Sequence, residues 1–125
     1  MAQIISRPQI IARPQGVWGW IIQRITAVLL FVFLGVHLAV LHFVPANMDI
    51  NFLGVAARFQ SLLYLITDTG LLITGMYHAL NGVRNVMFDF VVDDHKRRAI
   101  NVFLIAAGVA FTLWGTYALF MFLKG

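Results

Sequence analysis

Of the four histidines in this chain, His78 has the neighbours that suggest chemistry. It lies in the apolar run Asp68-Thr69-Gly70-Leu71-Leu72-Ile73-Thr74-Gly75-Met76-Tyr77-His78-Ala79-Leu80-Asn81-Gly82-Val83-Arg84-Asn85-Val86-Met87-Phe88-Asp89. If this run is helical, Asp68 and Asp89 stand roughly 31 Å apart at about 1.5 Å per residue. That is close to the thickness of a bilayer's hydrocarbon core, which puts His78 near the midplane. An imidazole at that depth is costly unless something there binds it, and an iron porphyrin is the best candidate. On a helical wheel, Gly75, Asn81, Gly82, Asn85 and Asp89 fall within roughly 60° of His78. The flanking glycines would let a flat macrocycle approach the backbone. A second reading stays open: the same face serves as a small-residue packing seam, with His78 bonding across helices.

A haem iron needs a ligand on each side of its plane. His37, within Leu34-Gly35-Val36-His37-Leu38, is the internal candidate. It lies roughly 28 Å along its helix from Trp18, near the outer surface and far from the level of His78. Two haems stacked across the membrane, each taking its other ligand from a partner subunit, suit those depths. Arg24 opens the uncharged run and has two readings: a snorkelling anchor, or a fixed fork of donors for a quinone carbonyl or a haem propionate. Arg84 is a second candidate for a propionate. Asp89 is expected at the level of Arg24, to pair with it or relay protons to a quinone. Asp68 reads as a structural partner for a backbone group or an arginine, and His42 and His95 as solvated.

These residues need helices that cross a membrane. The 125-residue chain is 61% hydrophobic and 11% charged, with mean hydropathy +0.86, whereas soluble domains carry about 25% charged residues. Cysteine is absent, so this chain offers no thiolate for an iron–sulfur cluster. The net charge of +4 is spread over the ends of apolar spans, which suits a membrane interface and not nucleic acid. Three spans are predicted, over about 18–43, 58–90 and 99–123, following a cytoplasmic arm over 1–16 in which no removable signal peptide is read. A turn-rich connection runs from Val44 to Val55, and Asp93 to Arg98 forms a hydrophilic loop. Arg7, Arg13, Arg24, Lys96, Arg97 and Arg98 lie on one side, so the amino terminus and the second loop face the cytoplasm. The fold class is an all-α membrane protein, here with three transmembrane helices.

Gln23-Arg24-Ile25-Thr26-Ala27 opening the first span, with His78-x-x-x-Gly82-x-Arg84-x-x-x-x-Asp89 in the second, resembles the cytochrome b membrane anchors of succinate dehydrogenase (respiratory complex II) and fumarate reductase. Leu34-Gly35-Val36-His37-Leu38 and Asn81-Gly82-Val83-Arg84 make the chain look most like the smaller of the two anchors in the two-haem bacterial type. The resemblance implies an integral protein of the bacterial cytoplasmic membrane that completes a helical bundle with a second anchor subunit. It implies one or two b haems shared with that anchor, and it makes His78 an axial ligand and His37 a ligand of the second haem. Arg24 is placed near quinone and a propionate. An iron–sulfur subunit and a flavoprotein carrying FAD are the implied soluble partners. Two departures bear on the quinone: Phe90 follows Asp89 where some members have a tyrosine, and Trp20 replaces a serine found four residues before the family arginine. A phenyl ring donates no hydrogen bond, so the partner anchor is expected to supply more of the pocket. Two other classes compete: a small proton-conducting transporter or channel subunit using Asp68, His78 and Asp89, and a purely structural anchor.

Overall fold

The computed structural model describes residues 16–43, 51, 53–54, 57 and 61–124. The expected arm and most of the first connection, including Pro45 and Arg58, lie outside the described residues. Three long helices make up nearly all of the rest: α1 Val17–Phe43, α2 Leu62–Phe90 and α3 Asp94–Lys124. With 27, 29 and 31 residues, each extends roughly 40 Å or more, beyond the ~30 Å of a hydrocarbon core.

The ends of these helices follow from local chemistry. Ser61 adopts an extended conformation before α2, and its carbonyl accepts the Leu65 N–H at 3.1 Å. At the other end Arg97 donates from Nε to the Val91 carbonyl at 2.6 Å and from Nη2 to the Phe88 carbonyl at 2.9 Å. These bonds satisfy acceptors that a helix C-terminus leaves open. The expected hydrophilic loop over Asp93–Arg98 is shorter than its charge suggests, because only 91–93 are non-helical. The Asp93 carboxylate accepts the His95 N–H at 2.9 Å, an N-cap that starts α3. Asp94 then sits in the first turn, where a negative charge suits the helix dipole.

α2 is the middle helix. It packs against α1 on one side and α3 on the other, and among the described residues α1 and α3 do not touch. The α1–α2 seam is antiparallel and in steady register, with Gln23 beside Asn81, Thr26 beside His78 and His37 beside Asp68. Phe33 covers Gly70 so closely that a methyl group there would lie 2.7 Å from the ring. Across α2–α3, Leu80 seats on Gly108 and Leu72 on Gly115.

Polarity is inverted relative to a water-soluble bundle. Thr26, Thr67, Thr74 and Asn81 are buried, while Phe31 is 81% and Trp114 77% exposed. Outward apolar surface with inward polar groups is what a lipid solvent selects. Val17–Phe43 and Asp94–Met121 are long and apolar enough to cross a membrane. α2 is not among those helices, because Asp68, His78, Asn81, Arg84 and Asn85 dilute its apolar run.

Candidate functional site

His78 points into the α1–α2 seam, and both of its ring nitrogens meet α1. Thr26 donates its hydroxyl proton to the Gln23 carbonyl at 3.1 Å, while its oxygen lies 3.1 Å from His78 Nδ1. With the threonine's one proton spent, Nδ1–H is the donor of that second bond. The network thus turns the Nδ1 side of the ring to the Thr26 oxygen and leaves Nε2 as its acceptor side. The Gln23 amide fits this arrangement: its Nε2 donates to the His78 carbonyl at 3.2 Å and stands 3.4 Å from the ring Nε2. Its Oε1 accepts from Asn81 Nδ2 at 2.6 Å. A contact of 3.4 Å is long for a hydrogen bond, so Nε2 is the least committed atom of the cluster.

The glycines beside His78 sit in the same seam and do not border an open slot. A methyl group on Gly75 would meet Leu30 at 3.5 Å, and one on Gly82 would meet Gln23 at 3.7 Å, both ordinary contacts. On this face the packing reading holds: α1 covers the helix, and it does so with groups that orient the imidazole.

A second histidine site lies about 16 Å further along α1. His37 Nδ1 is 2.7 Å from Asp68 Oδ1, with both side chains partly buried. The partner expected for Asp68, a backbone group or an arginine, is thus a histidine. The carboxylate accepts the hydrogen bond from Nδ1–H, which leaves Nε2 as the other ring nitrogen. Among the described residues no three His, Cys, Asp or Glu side chains converge as a metal site, and neither histidine belongs to such a set there.

Arg24 faces away from this seam. Its guanidinium lies 3.9 Å from the centroid of the Trp20 ring, and both side chains are exposed. The expected pairing with Asp89 does not form among the described residues. The register sets Arg24 opposite position 80, nine residues short of Asp89, which is about 13 Å along the axis. Arg84 lies roughly 120° around α2 from His78, on the α3 side, with its guanidinium carbon 5.1 Å from the Phe88 ring centroid. Its Nε and the Asn85 Oδ1 are buried without a hydrogen-bond partner. His42 bonds back to the Leu38 carbonyl at 3.0 Å and, like His95, is exposed.

Sequence reasoning missed Gln23 and Thr26 as partners of His78, and Asp68 as the partner of His37. The findable signal is antiparallel pairing: once one cross-helix pair is known, positions whose numbers have nearly the same sum face one another.

Comparison with known proteins bears on what this arrangement serves. The family model for the succinate dehydrogenase/fumarate reductase transmembrane subunit matches residues 3–115. The succinate dehydrogenase 2 membrane subunit SdhC of Mycobacterium tuberculosis is 27% identical over 95 residues, covering 74% of this chain and 67% of that protein.

Proposed function

The chain belongs to the succinate dehydrogenase/fumarate reductase transmembrane-subunit family, and from that premise we propose that it is a haem b-binding anchor that helps reduce quinone. As a family member with two helices fit to cross a membrane, it is an integral membrane protein, and its role is to anchor the flavoprotein and iron–sulfur subunits. In our reading α2 is the third span, the amino terminus is cytoplasmic, and a second anchor packs against the exposed face of α1 in the bacterial cytoplasmic membrane. The M. tuberculosis relative is named SdhC, whereas the motifs point to the smaller anchor; the proposal needs only that the chain be one of the two.

One observation carries the haem assignment: the Thr26 hydroxyl, which donates to the Gln23 carbonyl, lies 3.1 Å from His78 Nδ1 and orients the ring from that side. A metal-binding histidine is normally fixed in this way, by a hydrogen bond at its other nitrogen. The residues present therefore fit the group. His78 would be an axial ligand once the Gln23 amide leaves its long contact with Nε2. His37, fixed by Asp68, would be a ligand of a second haem, with the remaining ligands from the partner anchor. When bound, haem supplies a one-electron centre whose potential the surrounding protein tunes.

Arg24 and Trp20 would receive the quinone head on the outer side of α1, the guanidinium donating to a carbonyl or to a haem propionate. Reduction of the quinone takes two electrons from the iron–sulfur subunit and two protons. Asp89 is exposed at the Arg97 end of α2 and set axially beyond Arg24. It fits a proton relay towards the quinone better than a direct contact.

An absorbance scan of the purified complex tests the reading, with a Soret band expected. A colourless, fully active complex would overturn it. Arg24→Ala is expected to slow quinone reduction while sparing succinate oxidation by soluble artificial acceptors. Equal loss of both would remove the quinone role.

A further inference from the structure

We propose that the α2–α3 seam binds an anionic phospholipid, its headgroup at Arg84 and Arg97 and one acyl chain in the groove between the helices. The proposal goes beyond the haem and quinone reading and shares with it only the placement of these helices in a membrane.

Two cations meet at one ring. The guanidinium carbons of Arg84 and Arg97 lie 5.1 and 5.5 Å from the centroid of Phe88, which is itself buried. Neither has a carboxylate: among the described residues the single carboxylate pair is His37 with Asp68. Arg84 Nε is buried and lacks an acceptor. Arg97 uses Nε and Nη2 to close α2, and its Nη1 makes no hydrogen bond among the described residues. Two uncompensated positive charges at the edge of an apolar bundle call for an anion. The reach of Arg84 towards Phe88, one turn nearer the end of α2, takes its charge towards the membrane surface.

The neighbouring cavity argues for the rest of the molecule. A groove of about 570 Å³ runs from Arg84 and Asn101 past Leu104 and Val109 to Leu113. The twelve helical steps from Asn101 to Leu113 make it roughly 18 Å long, parallel to the helix axes and apolar over most of its length. An acyl chain lies in that direction in a leaflet, and the polar groups stand at the headgroup end. A haem propionate is the competing anion. It would have to come from a macrocycle on His78, which faces the other seam.

The test uses the assembled complex in mild detergent, with native mass spectrometry counting retained phosphatidylglycerol and phosphatidylcholine of matched chains. Phosphatidylglycerol is expected to be retained preferentially. Arg84→Gln should lower its retention about fivefold, the size expected for one cation near a lipid surface. Val109→Trp, which fills the groove and leaves both arginines intact, should lower it as well and decides the matter if Arg84→Gln does not assemble. Three outcomes overturn the proposal: equal retention of the two lipids, unchanged retention in Val109→Trp, or loss of haem with lipid retained in Arg84→Gln.

Discussion

The two histidines of the α1–α2 seam are held by opposite kinds of partner. The His78 ring is oriented by the Thr26 hydroxyl at Nδ1, a neutral group within an apolar helix, while the Gln23 amide bonds the His78 carbonyl. His37 is fixed by the Asp68 carboxylate at 2.7 Å. Each arrangement ties Nδ1 across the seam and leaves Nε2 as the atom that the proposed haem sites would use. They differ in what they do to that atom. A carboxylate on Nδ1–H raises the basicity of the imidazole, whereas a hydroxyl orients it with little change in electron density. Two centres of different potential, stacked at different depths, are what this difference would produce.

The largest expected effect is at the outer site. His37→Ala should remove one haem's absorbance while leaving the other in place; loss of both haems, or of neither, would break the assignment of one histidine to one centre. Next comes Thr26→Val, which keeps shape and removes the hydroxyl. Haem at His78 should be held about 10- to 100-fold less tightly, the usual consequence of losing the group that orients a metal-binding histidine. Retention measured by transfer to apomyoglobin should show this, with the His37 centre unaffected.

Asp68→Asn should act more mildly and on the other centre. A weaker electron donor at Nδ1 should raise the midpoint potential of the His37 haem by some tens of millivolts, where ~59 mV is a factor of ten for one electron. A potentiometric titration in which the His78 centre moved instead would reverse the comparison. Smallest are the glycines. Gly70→Ala must displace the Phe33 ring and should cost about 1–3 kcal/mol in thermal unfolding of the complex. Gly75→Ala meets Leu30 at an ordinary 3.5 Å and should change stability by no more than about 0.5 kcal/mol.

Much of this architecture is legible in the sequence, for physical reasons. Long apolar runs specify helices, and α1 and α3 are long and apolar enough to cross a bilayer, whereas α2 carries Asp68 and Arg84 within its run. The start of α3 at Asp94 is less visible. A cluster of charges reads as loop, and only the Asp93 cap and the first-turn Asp94 show that the helix has already begun. At the site, the separate depths of His37 and His78 follow from counting residues along each helix. Their partners do not, because Thr26 and Asp68 become neighbours of the histidines only through the relative rotation of α1 and α2. Arg24 and Asp89 show the reverse failure. Each lies near the same end of the bundle, yet the register leaves them about 13 Å apart along the axis.

The reduced-minus-oxidised spectrum of the assembled complex, with haem counted per flavin, tests the role of His78 most directly when parent and His78→Ala are compared. Loss of one b-type α-band and one haem per complex, with the His37 centre retained, is the expected result. An undiminished bis-histidine spectrum in His78→Ala would contradict it.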